Sequence, residues 1–153
     1  MIDFQLLNVE DTKWFGNGSM DIDYDNLGNV VLVQGVYFLN QGIQKNIMTV
    51  LRDTNLYPQY GSEVDNLKGK KLDDSIVKSY LVRVIIDALD RATVRQNESV
   101  LDFTYVDEEI FDSLMNIQLQ QDTKQKTKYN VTVSVLTKQG ETSFSFLIDK
   151  EKT

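Results

Sequence analysis

The chain has no cysteine and no histidine. Without thiols it has no disulfide, no thiolate metal site and no cysteine nucleophile. Without imidazole it lacks the commonest metal ligand and general base, so Ser-His and Cys-His machinery is excluded. Proline and tryptophan occur once each, and the eight glycines are scattered rather than gathered into a phosphate-cradling loop. No stretch approaches the roughly 20 consecutive apolar residues of a membrane span. The opening MIDFQLL has neither the basic start nor the apolar run of a signal peptide. The expectation is a chain made in a cytoplasm, not exported by a signal peptide, for which the sequons at Asn17, Asn97 and Asn130 mean nothing. Positive charge is also short. Sixteen Lys and Arg stand against 23 Asp and Glu, a net charge of −7, which argues against nucleic acid as a partner.

What remains is ordinary for a globular protein: 41% apolar and 25% charged residues over 153 positions, enough for one modest core. Residues 1–18 read as an N-terminal arm and 19–153 as a single α+β domain. In the arm, residues 2–7 suit a short strand or extended arm, and Trp14-Phe15 suits a plug in the core more than an exposed anchor for a partner. Met20, Ile22 and Tyr24 alternate with Asp21, Asp23 and Asp25, as in a half-buried strand, and Val30–Val33 is a second strand. Together they suggest an N-terminal hairpin. The acidic alternation fails as a calcium loop in both registers: from Asp21, Asn26 falls where glycine is required and Leu32 where glutamate is, and from Asp23, Leu27 and Gln34 fall at ligand positions.

The stretch from Gly35 to Leu67 organises the rest. Val36, Leu39, Ile43, Ile47, Val50 and Leu51 form a helical stripe over 36–51, with a gross burial drive of about 10–15 kcal/mol. A corner follows, Tyr57-Pro58-Gln59-Tyr60-Gly61-Ser62, in which Pro58 fixes chain direction and Gly61 is free to take positive φ. Leu67–Lys71 reads as a polar linker. A second helix spans 73–95, capped by Asp73 or Asp74, with Val77, Tyr80, Leu81, Val84, Ile85, Ala88, Leu89 and Ala92 on one face. Val100–Val106 reads as a strand. Residues 110–121 are ambiguous, with a strand around 115–121 favoured, and 120–128 reads as a polar loop or excursion. The end is a β-hairpin in which Gln139-Gly140 as the turn would set Val135 opposite Phe144, Val133 opposite Phe146 and Val131 opposite Ile148. The fold class is therefore α+β: two packed helices against a mixed or antiparallel sheet, with hairpins at both ends. The last strand, lightly charged outside, reads as an edge.

Taken in order, these pieces resemble the baseplate wedge, or sheath-initiator, family of contractile phage tails, also called tail-lysozyme-like. Asp23, Gly28 and Gly35 match its leading residues. Gln41 and Ile43 sit in the helix, Ile47 and Thr49 take the Leu-x-Thr places, and Pro58, Tyr60, Gly61 and Ser62 complete the corner. Two departures stand out: Arg52-Asp53 replaces the family's Gly-Glu, and Asp90-Arg91-Ala92 is the nearest text to its Glu-Pro-Arg. The resemblance implies a structural virion component that forms a ring around the tail tube among wedge and hub proteins. Its terminal strand, Thr142, Ser143, Phe144, Ser145, Phe146, Leu147 and Ile148, would be offered to the first ring of sheath subunits. It implies no cofactor, no metal and no membrane. Removal of residues 140–153 is expected to leave a folded remainder.

Carboxylates are the only catalytic groups left, and two suffice for glycoside hydrolysis. Asp107, Glu108, Glu109 and Asp112 cluster after the 100–106 segment, so a hydrolase using Glu109 and Asp112 is the alternative from another class. A tail adaptor that does not touch sheath is the third. No catalytic pair matches the lysozyme-like label residue by residue, and the expectation is a protein that is not an enzyme.

Overall fold

A computed structural model describes residues 2–4, 6–8, 20–22, 26–29, 32–53, 55, 57–99 and 106–151. The protein is α+β. In chain order come β1 (Ile2–Phe4), β2 (Leu6–Asn8), β3 (Met20–Ile22), β4 (Leu32–Gln34), α1 (Val36–Met48), a 3-10 turn (Val64–Leu67) and α2 (Asp74–Ser99). A second 3-10 turn (Asp107–Glu109) leads into β5 (Phe111–Gln121), β6 (Lys128–Thr137) and β7 (Gly140–Asp149), which form an antiparallel sheet in the order β5-β6-β7.

The N-terminal strands do not pair as the sequence suggests. Among the described residues, β4 pairs with β1 (Phe4 opposite Leu32) and β3 pairs with β2 (Leu7 opposite Asp21). The segment 23–31 is too long for a tight turn to dictate a β3–β4 hairpin, and residues 2–8 serve both strands as antiparallel partner. Trp14-Phe15, Asp23–Asp25, Val30-Val31 and positions 100–105 of the expected strand lie outside the described residues. Val106 itself is exposed and irregular.

Helix α1 starts at Gly35, whose φ of +63° is open to glycine at little strain. Leu39, Ile43 and Ile47 of its stripe are buried. The helix stops at Met48, earlier than the apolar spacing suggests, because Thr49 turns extended (φ −82°, ψ 138°) and its hydroxyl caps Lys45 O at 2.7 Å. Val50 is thereby exposed and Leu51 half-buried, so three rather than six residues drive docking, about 5–9 kcal/mol gross. Helix α2 begins where expected, with Asp73 O accepting from Val77 N at 3.0 Å, and runs one turn further, to Ser99. An ion pair within its first turns, Lys78 Nζ to Asp74 Oδ2 at 2.7 Å, holds the Asp74 carboxyl below its usual range. Val77, Leu81, Val84, Ile85, Ala88 and Leu89 are buried, with Tyr80 and Ala92 half-buried.

These helices share one core with alternate residues of β6, namely Tyr129, Val131, Val133 and Val135, and with Phe146 and Ile148 of β7. Strand β5 explains the ambiguity of its sequence. It starts at Phe111, and bulges between Phe111 and Ser113 and between Leu114 and Asn116 each insert one residue. The core-facing residues Phe111, Leu114, Ile117 and Leu119 are consequently spaced three, three and two, which imitates a helix. The polar run 120–128 is a built turn rather than an excursion. Gln120-Gln121 and Lys128 belong to strands, and the Asp122 carboxylate accepts from Gln125 N (2.8 Å) and Lys124 N (2.7 Å), which lowers its pKa.

Two stability outcomes follow. Ile85 has no exposed surface, so Ile85→Ala should cost about 2–5 kcal/mol, read from the urea midpoint at constant m-value. The Tyr129 hydroxyl is pushed up to about 12 by burial, reinforced by the neighbouring Asp74 carboxylate. The folded state therefore holds its proton more tightly than the unfolded chain. That share of stability is complete below the ordinary tyrosine value near pH 10 and is lost as pH rises through about 12. Urea midpoints across this alkaline range should fall more steeply for the native protein than for Tyr129→Phe.

Candidate functional site

Two features carry the residues singled out in the sequence: the outer edge of β7, and the corner that ties α1 to α2. The β7 edge is fixed by its turn. The two-residue turn is Lys138-Gln139, with Thr137 opposite Gly140, Val135 opposite Thr142, Val133 opposite Phe144 and Val131 opposite Phe146. This register is two residues from the one expected with Gln139-Gly140 as the turn. Thr137 decides it. Its Oγ1 accepts from Gln139 N and Gly140 N, both at 3.2 Å, and donates to Gly140 O at 2.9 Å, while Gly140 takes φ +145°. A slip of two keeps every side chain on its face, so the apolar pattern alone does not distinguish the two registers.

The register also sorts the backbone of β7. Lys150 N donates to Thr127 O at 3.0 Å, which marks that pair as hydrogen-bonded, and bonded pairs recur at every second position. Thr142, Phe144, Phe146 and Ile148 therefore direct their amides and carbonyls to β6. Glu141, Ser143, Ser145 and Leu147 direct theirs to the open edge, where no backbone partner meets them among the described residues. The seven residues Thr142–Ile148 thus divide into an inward set and an outward set. On the helix side, Asn40 of α1 donates to Thr142 Oγ1 at 3.4 Å, and Phe144 is half-buried, its ring stacked near Phe146 at 6.0 Å. On the far side, Ser143 and Ser145 are exposed and uncharged. The opposite edge, β5, is twisted out of regularity by its two bulges, a common way of blunting an edge. Of the two edges, β7 is the one with an unbroken ladder.

The corner is built around a side chain that sequence reading passed over. Asn46 is 3% exposed; its amide donates to Ala88 O of α2 at 2.8 Å, and its Oδ1 accepts from Gly61 N at 2.7 Å. One residue thereby joins both helices and the turn. A polar residue three positions after Ile43 and adjacent to Ile47, on the buried flank of an apolar stripe, was the available signal. Ser62 N donates to Thr49 O at 2.8 Å, Leu51 N to Ser62 O at 2.9 Å, and the Ser62 hydroxyl to Ile47 O, so residues 49–51 and 62 form a short parallel bridge. Pro58 occupies the second position of the turn closed by Tyr60 N to Tyr57 O at 2.9 Å. Gly61 takes φ +106°, and a Cβ there would lie 2.7 Å from Thr49 O and 2.8 Å from Val50 O. Arg91 Nη2 donates to Gly61 O at 2.9 Å. The structure thus brings Thr49, Pro58, Tyr60, Gly61 and Ser62 together, while Gln41 and Ile43, both buried, lie further up α1.

Of the clustered carboxylates, Glu108 and Glu109 both reach Gly35, where a Cβ would lie 2.6 Å from Glu108 Oε2. Glu109 has no exposed surface, and its two oxygens accept from Gly35 N (3.0 Å) and Val106 N (3.2 Å), tying the start of α1 to the turn before β5. Asp112 sits exposed on β5. Among the described residues no group of three acidic side chains is placed to hold a metal ion.

Gly61→Ala should destabilise by at least about 2–3 kcal/mol, since both its φ and its space are forbidden to a side chain; Gly69→Ala, with φ +69° and open surroundings, should cost only about 1 kcal/mol. Arg52 is the one described non-glycine residue with positive φ (+69°), so Arg52→Gly should stabilise by about 0.5–1 kcal/mol, seen as a raised thermal midpoint. No protein-family model matches the chain, and no curated protein matches it.

Proposed function

We propose that this chain is a structural subunit of a contractile-tail baseplate, in a phage or a related injection apparatus, that nucleates the sheath by accepting a strand along β7. The observation that carries the reading is the regular outer ladder of Glu141, Ser143, Ser145 and Leu147, unpaired among the described residues, on a strand whose other side is locked to β6. An incoming strand would gain main-chain hydrogen bonds there. Its alternate side chains would meet Phe144 on one face and the small serines on the other, which sets register without demanding bulk. In a ring of copies around the tail tube, with wedge and hub proteins alongside, assembly would occupy each edge and remove the aggregation hazard of leaving it open.

The corner supports the same reading. The resemblance places a Gly-Glu pair where this chain has Arg52-Asp53, and Arg52 adopts the left-handed backbone that glycine favours. Gly61 and Ser62 of the resembling motif both fill positions where another residue would break the bridge to α1. The protein's role is then recognition by backbone and shape, without turnover, cofactor or nucleic acid, in the assembled virion.

Truncation at residue 140 is not a clean test, because Phe146 and Ile148 belong to the core and their loss would unfold the remainder that the sequence suggested would survive. Proline on the outward positions is. Ser143→Pro removes only an amide that points away from β6, so the variant should fold with unchanged secondary structure and yet fail to seed sheath polymerisation. Thr142→Val, on the inward side, should seed normally. Sheath growth from the proline variant at the native rate would overturn the proposal.

A further inference from the structure

The corner presents a second surface, independent of the β7 edge. The Arg95 guanidinium lies 4.5 Å from the ring centre of Tyr57 and 5.0 Å from that of Tyr60. Arg91, one turn earlier on the same face of α2, reaches Gly61 O with Nη2 and leaves its buried Nε without an acceptor. Arg52 is exposed at the turn of the same corner. In a chain with seven more acidic than basic residues, none of these three arginines has a carboxylate within ion-pair distance among the described residues. Among the acids near them in sequence, Asp53, Glu63, Asp87 and Asp90 are exposed and form no ion pair with them. Around the arginines, Tyr57, Val50 and Val94 expose 55%, 44% and 58% of their surface.

We propose that this arginine–tyrosine corner docks an acidic segment of another protein. Stacking against tyrosine rings neutralises no charge. It fixes the plane of the guanidinium and leaves its in-plane N–H fork free for a carboxylate. Holding the fork in advance removes much of the ordering entropy that an exposed arginine would lose on pairing. Tyr57, Val50 and Val94 add apolar contact for the carbon chains of the bound segment. A nucleic-acid backbone fits poorly, because three arginines neutralise few phosphates and the rest of this acidic surface repels a long polyanion. The occupant is therefore a short run of aspartate or glutamate, presented against Arg95 and Arg91.

Binding of a fluorescein-labelled hexaglutamate peptide to the full chain, followed by anisotropy at low and moderate salt, tests this. The native protein should bind, Arg95→Glu should bind at least about tenfold more weakly, and Arg83→Glu, the same charge change beside Tyr80 on the same helix, should bind within about twofold of native. Tyr57→Ala should weaken binding with the charge unchanged, and circular dichroism establishes that each variant is folded. Absence of binding by the native protein overturns the inference. So does equal loss in Arg83→Glu, which would reduce the effect to net charge, or a single-stranded oligonucleotide of matched charge that binds the corner as tightly as the peptide.

Discussion

Register in the β6–β7 hairpin governs what the last strand presents. With Thr137 opposite Gly140, even-numbered residues of β7 commit their backbone groups to β6 and odd-numbered residues turn theirs outward. The Thr137 hydroxyl, through its three contacts with the turn, sets that phase. A slip by one would bring Ser143 and Ser145 into the core and expel Phe144 and Phe146, so burial forbids it. A slip by two would keep the faces and move the two-residue turn to Gln139-Gly140, and the threonine clamp stands against it. The strand is consequently anchored by its apolar face, Phe146 and Ile148 in the core, and, among the described residues, open along its outer backbone.

The same division between anchoring and presentation recurs at the corner. Asn46 satisfies the Gly61 amide on the turn and adds a bond to Ala88 O within α2, in a protein layer where an unpaired amide would cost about 1–3 kcal/mol. Because that link is made from inside, Tyr57 and Arg95 remain on the surface. Glu109 does comparable work at the other end of α1, holding Gly35 and Val106. Both of its oxygens are thereby committed to backbone amides.

How much of this was legible in the sequence depended on whether a pattern was local. The stripe of α2 and the alternation of β6 and β7 could be read directly, since each repeats one period over many residues. The end of α1 could not, because Thr49 leaves the helix to make a bridge with Ser62 thirteen positions on. Strand β5 was obscured by bulges that convert a period of two into three. The N-terminal pairing failed for a topological reason: residues 2–8 compete with a hairpin that no tight turn enforces. At the corner, Pro58 and Gly61 announced a turn, but Asn46 gave only a polar residue beside an apolar stripe, and its two partners are 15 and 42 positions away. The edge character of β7 was visible in its uncharged serines; its register was not, because a hydroxyl-to-backbone clamp leaves no periodic trace.

The proposed seeding of sheath depends most directly on the state of the outward amides of β7. Residue-resolved hydrogen exchange on the isolated protein and on the same protein bound to sheath subunits measures it. The prediction is fast exchange at Ser143 and Ser145 in the free chain, with Phe144 and Phe146 protected, and protection of Ser143 and Ser145 once sheath is bound. Protection of those two serines already in the free chain, or exchange that sheath leaves unchanged, would contradict it.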